Sequence, residues 1–234
     1  MLLDLIRNGF SRDAVISLLL FIPTILISLT VHEYCHGYAA YKCGDNTAQW
    51  NGRLTLNPVK HLDPIGTIMM LLFGFGYARP VPINPRNFNN YKRDLCIVSL
   101  AGPLSNVFLA LIGLLLHYGV LQIIALQSAQ TFVTVLNSNM FMMWQIFITS
   151  FISANASLAV FNLLPIPPLD GSRIVSSFLP AKLAYYYNKY ENYIMLAVLA
   201  LLYLNILDGV IYWLRGGLIT FLNWLVTRIP FTFL

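Results

Sequence analysis

The chain has 234 residues, of which 58% are hydrophobic and only 10% are charged, and its mean hydropathy is +0.69. Because soluble domains carry about a quarter charged residues, this composition excludes an ordinary soluble domain and indicates a polytopic membrane protein. The net charge of +5 comes from 14 Lys and Arg against 9 Asp and Glu. No basic stripe interleaved with aromatic residues accompanies this charge, so we expect no nucleic-acid partner.

The hydrophobic pattern predicts an all-α membrane protein with about four spanning helices. The N-terminal 13 residues include four charged side chains, so we expect no cleavable signal peptide there and a first span that stays in the protein. The predicted spans cover about residues 14–41, 95–118, 141–164 and 193–213.

The segments outside these spans are predicted to lie in or near the membrane surface. Arg53-Leu54-Thr55-Leu56 alternates as a short strand would, which predicts a small membrane-associated β element between the first two spans. Residues 65–75 are apolar but too few to span, which favours a re-entrant or interfacial segment. Three prolines within 79–86 predict a loop or edge strand. Residues 172–187 form a short amphipathic piece, and residues 217–226 are expected to lie in the interface.

A five-residue motif at the C-terminal end of the first span indicates chemistry. His32 and His36 are four residues apart, so on a helix they share a face and can hold one Zn²⁺. Glu33 lies one step round the helix, where it can reach a water bound to that ion. An unpartnered ionisable side chain in lipid costs a few kcal/mol, so three of them together favour a functional site.

A hydrolytic zinc site takes three protein ligands and leaves one position open for water. Asp170 leads as the third ligand because it lies at a helix end beside Gly171, a turn residue that lets the backbone aim the carboxylate into the bundle. The alternative role for Asp170 is the N-cap of the helix that follows. The other candidate ligands are His61, Asp94, His117 and Glu191.

The distribution of Lys and Arg predicts the orientation in the membrane. No Lys or Arg lies between the second and third spans, so the loop between the first two spans is expected to be cytoplasmic. His32, His36 and Asp170 then all lie toward the cytoplasmic leaflet of an inner or plasma membrane. The loop between the first two spans contains Lys42, Arg53, Lys60, Arg79, Arg86, Lys92 and Arg93.

Three spaced motifs, within about residues 16–173, resemble the site-2 protease family of intramembrane zinc metalloproteases. Nothing in the chain resembles the PDZ or CBS domains of some members, so we expect a small member with a single domain over residues 1–234. Its catalytic core would cover about 14–173 and its C-terminal helices 174–234. The motifs are His32-Glu33-x-x-His36, Gly102-Pro103-x-x-Asn106 and Asn162-Leu163-Leu164-Pro165-x-x-Pro168-Leu169-Asp170-Gly171.

The resemblance implies a function and a role for each motif. His32, His36 and Asp170 would bind one zinc ion per chain, with Glu33 as the catalytic base. Asn106 would assist near the active site, with helix-to-helix hydrogen bonding as its alternative role. Asn162 and Pro165 would border the substrate path. The implied reaction is hydrolysis of a peptide bond within or near the single transmembrane segment of a membrane-anchored substrate, as in regulated intramembrane proteolysis.

A metal-binding membrane transporter or a non-catalytic membrane scaffold is the competing interpretation. Either would keep intramembrane histidines and a carboxylate, but neither needs a glutamate next to the first histidine. The presence of Glu33 therefore favours the protease. The sequence leaves the oligomeric state, the gate and the identity of the substrate open.

Overall fold

The computed structural model describes residues 11–73, 76–204 and 206–228, and nearly all of its regular structure is helical. Two short 3₁₀ turns, Pro58–Lys60 and Pro85–Asn87, interrupt the connections. The helices are α1 (Arg12–Lys42), α2 (Thr47–Trp50), α3 (Pro64–Phe73), α4 (Tyr91–Ala125), α5 (Ala129–Leu136), α6 (Asn139–Asn162), α7 (Asp170–Phe178), α8 (Ala181–Lys189), α9 (Glu191–Tyr203) and α10 (Asp208–Thr227).

Four of these helices are long and apolar enough to cross a membrane, which confirms the predicted number of spans. They are α1 from Ala14 onward, α4, α6 and α10. The predicted fourth span, 193–213, is wrong. The helix α9 ends at Tyr203, and the spanning helix starts at Asp208, whose carboxylate lies in the first turn. The apolar character runs through both helices, so hydropathy alone gave no sign of the break between them.

Helix α4 lies at the centre of the bundle, in contact with α1, α6 and α7, and α10 packs against α6 and α4. The half of α4 beyond Asn106 contributes to an apolar core in which the buried side chains come from three spans. The preceding half of α4 faces the polar part of the bundle described below. The buried residues of the apolar core are Ala110, Leu114, Ile148, Ile152, Leu222 and Val226.

The predicted β element is not present among the described residues between α1 and α4. The nearest feature to it is an isolated antiparallel bridge between Leu62 and Ala78. Residues 53–56 do not pair as a strand: they follow a turn at Gly52, where φ is +62°, and the Arg53 side chain bonds carbonyls of the loop 79–84. The Pro-rich segment 79–84 is a loop rather than an edge strand, and no described strand lies beside it.

Two buried side chains on either side of α2 hold the loop 79–87 in place. Arg53 Nη2 donates to the carbonyls of Arg79 and Pro80 at 2.8 and 3.3 Å. Asp45 accepts hydrogen bonds from the Asn84 backbone N–H at 2.7 Å and from Asn87 Nδ2 at 2.8 Å. A loop without strand partners is thereby fixed by side-chain contacts instead of a sheet ladder.

The predicted amphipathic piece 172–187 is two helices, α7 and α8, because Pro180 separates them. Helix α7 begins at Asp170 and packs on α4. The apolar segment after His61 forms α3, which has ten residues and is too short to span, as predicted.

Replacing Asp45 tests how the loop is held. Burial raises the pKa of this carboxyl, but hydrogen bonds from Thr47, Asn84 and Asn87 outweigh that effect and lower the pKa below its usual value. Its stabilising contribution is therefore present above about pH 4 and is lost as the pH falls through the lowered pKa. We expect Asp45→Ala to lower the melting temperature in detergent by about 5–10 °C near neutral pH and by less in acid. An equal loss at both pH values would contradict this explanation.

Candidate metal centre

Three potential metal ligands from two distant parts of the chain meet at one point of the bundle. His32 and His36 project from α1, and Asp170 is the first residue of α7. The two Nε2 atoms are 3.0 Å apart, and Asp170 Oδ2 lies 3.1 Å from His36 Nε2 and 3.3 Å from His32 Nε2. Ligands around a tetrahedral zinc ion are separated by about 3.3 Å, so the three donor atoms fit this metal.

The outer nitrogens of both imidazoles are already bonded, which fixes the tautomer that faces the centre. His36 Nδ1 donates to the Val98 carbonyl at 2.7 Å, and His32 Nδ1 donates to Asn106 Oδ1 at 2.6 Å. In the neutral state each Nε2 then carries a lone pair, and two lone pairs facing each other at 3.0 Å repel. A cation between them relieves that repulsion, so the arrangement favours a bound metal ion.

Asp170 is directed at the histidines and does not cap its own helix. Leu169 occupies the N-cap position of α7, and no side chain makes a capping hydrogen bond there. Burial alone would raise the pKa of the Asp170 carboxyl, but His32 and His36, when protonated, lower that pKa below its usual range, and a cation between the two neutral imidazoles would act in the same direction. An ionised carboxylate at this position can serve as an anionic ligand.

Two glycines are required by close packing around the centre. A Cβ on Gly102 of α4 would overlap His36 Nε2 and would lie 2.7 Å from His32 Cε1. A Cβ on Gly171 would overlap the carbonyl oxygens of Leu163 and Leu164, where the chain folds back before α7. The role of Gly171 is therefore to allow this close approach, which places Asp170 beside α1.

Glu33 lines the same cavity as the three ligands, and a backbone N–H holds its carboxylate. Its Oε2 accepts a hydrogen bond from the Val81 N–H at 2.8 Å. The cavity has a volume of about 170 Å³. A carboxylate beside the ligands and open to this space is positioned to accept a proton from a water molecule. Besides the three ligands, the cavity is lined by residues that include Glu33, Val81, Ser99, Asn162, Pro168 and Arg173.

Asn106 lies behind His32, at the end of a chain of buried amides. Its Oδ1 accepts from His32, while its Nδ2 donates to Asn155 Oδ1 at 2.9 Å and to the Ser28 carbonyl at 3.4 Å. Asn155 Nδ2 in turn donates to the Phe151 carbonyl at 2.9 Å. These contacts favour a positioning role for Asn106, since its amide donors are already engaged.

The remaining predicted residues lie in different surroundings. Asn162 lines the cavity, but Pro165 is not among the lining residues, and its carbonyl accepts a hydrogen bond from the Tyr187 hydroxyl at 2.7 Å. None of the other candidate ligands belongs to the described group of metal-ligating side chains. His61 bonds the Thr55 carbonyl, Asp94 pairs with Arg93, His117 packs on Tyr118, and Glu191 starts α9.

Several contributors to the site were not singled out from the sequence. The sequence could have indicated Asn155, because it is a polar residue within an apolar span. It is also seven positions from Asn162 and thus on the same helix face. No sequence pattern indicates the close packing at Gly102 or the hydrogen bond from the Val81 N–H, since both depend on contacts between segments distant in the chain.

An apolar helical bundle that buries an H-E-x-x-H helix against a carboxylate from a later helix defines a class, the membrane-embedded metalloproteases. The model of peptidase family M50 matches residues 20–205. The chain belongs to this family, the site-2 proteases, and is a multi-pass integral membrane protein and a zinc metalloprotease. The resemblance seen in the three motifs is thereby confirmed.

Curated relatives with similar sequences have zinc-metalloprotease names. The protein "Putative zinc metalloprotease YwhC" of Bacillus subtilis is 43% identical over 178 residues, which cover 76% of this chain and 77% of that protein. Rip2 of Mycolicibacterium smegmatis, named in the same terms, is 31% identical over 152 residues, 62% of this chain and 52% of that protein. Rip2 of Mycobacterium tuberculosis H37Rv is 27% identical over 200 residues, 81% of this chain and 70% of that protein. No solved structure matches the chain.

Gly102→Ala tests the packing of α4 against the two histidines. The added methyl group overlaps the His36 ring, so we expect zinc affinity to fall at least tenfold, as for other changes to groups that orient metal ligands. Zinc per chain, measured on protein purified in detergent, checks this. Gly119→Ala is the matched control on the same helix, because a Cβ there meets nothing within 4 Å. Full zinc occupancy in the Gly102 variant would contradict this prediction, because it would show that α4 can shift without disturbing the ligands.

Proposed function

We propose that this protein is an intramembrane endopeptidase that hydrolyses a peptide bond within or near the transmembrane segment of a membrane-anchored protein, as in regulated intramembrane proteolysis. The observation that carries the proposal is the meeting of His32, His36 and Asp170 beside Glu33 at one cavity within a bundle of spanning helices. A transporter or scaffold has no use for a carboxylate that is held next to the ligands and is open to the same space.

Each group of the site has a role in this reaction. His32, His36 and Asp170 would hold zinc, which supplies a Lewis acid and an acidified water when it is bound. Glu33 accepts the proton of the attacking water and returns it to the leaving amine. The Val81 N–H keeps the Glu33 carboxylate at the cavity through a 2.8 Å hydrogen bond. Asn106 and the Val98 carbonyl keep the two imidazoles in the tautomer that offers Nε2.

The substrate must reach the cavity in an extended form. A transmembrane helix satisfies its own backbone hydrogen bonds, so it must unwind locally before a carbonyl can be attacked. Asn162, the last residue of α6, and Pro168, in the connection to α7, both line the cavity and border the space available to such a segment. The size of that space, about 170 Å³, suits a short stretch of chain rather than an intact helix.

Charge supports an active site that opens toward the cytoplasm. The connection between α1 and α4 carries many Lys and Arg, whereas the connection that includes α5 carries none. The ligands lie at the end of α1 that leads into the basic connection, so water and the cut product would exchange with the cytoplasmic side.

Glu33→Gln and Asp170→Ala separate catalysis from metal binding. We expect the Glu33 variant to keep stoichiometric zinc and to lose cleavage of a panel of transmembrane peptides by about 10²–10⁴-fold, because it lacks the proton acceptor. Zinc binding should weaken in the Asp170 variant because a ligand is removed. Zinc per chain and cleavage are measured on the same detergent preparations.

Matched controls are available for both substitutions. Glu191→Gln changes the other glutamate of the chain, and Asp208→Ala changes an aspartate that also starts a helix. Both should keep zinc and cleavage. Cleavage that persists in Glu33→Gln would contradict the role of Glu33, and full zinc occupancy in Asp170→Ala would contradict its role as a ligand.

The proposed orientation is tested by labelling single cysteines with a membrane-impermeant maleimide in a background without Cys35, Cys43 and Cys96. We expect Gln127→Cys to react in intact cells and Trp50→Cys to react only after permeabilisation, because both positions are exposed but lie on opposite sides of the proposed bilayer. The reverse pattern would place the metal centre on the external side.

A further inference from the structure

The hydroxyl of Ser99 is a buried donor that no described residue uses. Ser99 is 2% exposed, and its Oγ has no hydrogen-bond partner among the described residues. Ser99 is one of the residues that line the cavity that contains Glu33 and the metal ligands. A buried hydroxyl without a partner is unfavourable, so its presence in the wall of a catalytic cavity calls for a group that meets it there.

Other serines in helices of the bundle satisfy themselves locally. Ser105 and Ser172 each donate to the carbonyl three residues earlier at 2.6 Å, and Ser177 does so at 2.7 Å. Ser28 donates to the carbonyl of Thr24, four residues earlier, at 2.7 Å. This back-bonding is the usual solution for a helical serine. Ser99 lacks it, so its hydroxyl has no partner among the described residues.

The backbone around Ser99 has a second open position. Pro103 lies four residues further along α4 and has no N–H, so the Ser99 carbonyl lacks the donor that a regular helix would supply. The adjacent Val98 carbonyl already accepts from His36, and Gly102, one turn on, packs against both imidazoles. Ser99 is thus one helical turn from the part of α4 that touches the metal ligands.

Two other polar groups of residues that line the cavity already have partners. The backbone of an incoming peptide is therefore a chemically suitable partner for the Ser99 hydroxyl. The Val81 N–H is bound to Glu33, and Asn162 Nδ2 donates to the Leu158 carbonyl at 3.0 Å. An unwound substrate brings carbonyl oxygens that have lost their helical partners and need donors inside the membrane. The Ser99 hydroxyl is a donor of this kind at the cavity wall.

We propose that Ser99 Oγ donates a hydrogen bond to a backbone carbonyl of the substrate next to the bond that is cut. Ser99 is then a substrate-binding group, and it acts on any extended peptide because it contacts backbone rather than side chains. This inference rests on the proposed peptidase function.

The test uses zinc-loaded full-length protein in detergent and two hydroxamates that bind metal. Leucyl-leucine hydroxamate carries a peptide carbonyl, whereas acetohydroxamate carries the metal-binding group alone. By calorimetric titration we expect Ser99→Ala to bind the dipeptide hydroxamate about fivefold to tenfold more weakly than wild type, the loss of one hydrogen bond, and to bind acetohydroxamate equally well. Ser177→Ala, a buried serine that already bonds Ile174, is the matched control and should bind both probes as wild type does.

Thermal stability separates this role from a structural one. Removing an unpartnered buried hydroxyl should leave the melting temperature of Ser99→Ala equal to or above that of wild type, whereas a structural hydrogen bond would lower it. Ser99→Cys, with a weaker donor of similar size, should weaken dipeptide binding in the same direction and provides a second variant if the alanine protein does not fold.

The two proposals fail in different ways. Equal affinity of wild type and Ser99→Ala for the dipeptide hydroxamate, or a lower melting temperature together with equal loss of both probes, would overturn the role of Ser99 alone. Failure of wild type to bind either hydroxamate would overturn the zinc peptidase itself, and the substrate role of Ser99 with it.

Discussion

Two imidazole nitrogens and a carboxylate oxygen within 3.3 Å of one another, inside a bundle of apolar helices, form the constraint on which the rest of the site depends. Such a cluster is stable only when each member has its remaining polar atoms satisfied and a cation balances the inner ones. The bundle meets this demand with a backbone carbonyl for His36 and with the Asn106–Asn155 amide chain for His32, which joins α1, α4 and α6. The hydrogen bonds that orient the ligands are therefore also contacts that pack these helices together.

Helix α4 supplies many of these contacts because it lies close to both imidazoles and its backbone is irregular at Pro103. Gly102 lets the helix lie against both imidazoles, and Pro103 directly after it frees a carbonyl of the preceding turn. Beyond Asn106 the same helix is regular and apolar and packs into the core with α6 and α10. One half of this helix thus packs against the two imidazoles, and the other half packs into the apolar core.

The sequence predicted those features that depend on local periodicity. The four-residue spacing of His32 and His36 and the approximate positions of the first three spans follow from helix geometry and hydropathy, although α4, at 35 residues, extends beyond the predicted 95–118 at both ends. The three motifs predicted the family. Asp170 was favoured through charge and turn residues, and it does meet the histidines. The predicted strand at 53–56 failed because the Arg53 side chain turns inward to carbonyls 26 and 27 residues away, which no local pattern reveals. The fourth span was misplaced because apolar residues run through both α9 and α10, although Asn205 and the pair Asp208-Gly209 are typical of a turn.

Glu33 is held by a backbone N–H rather than by a side chain, and this affects which substitutions the chain can tolerate at the donor position. Val81 lies between Pro80 and Pro82, so it supplies the N–H of this three-residue stretch. A main-chain donor is independent of side-chain identity, and any residue except proline at position 81 would keep it. The orientation of the Glu33 carboxylate is thus insensitive to most mutations at position 81, and such mutations can alter the shape of the cavity wall while this hydrogen bond is retained.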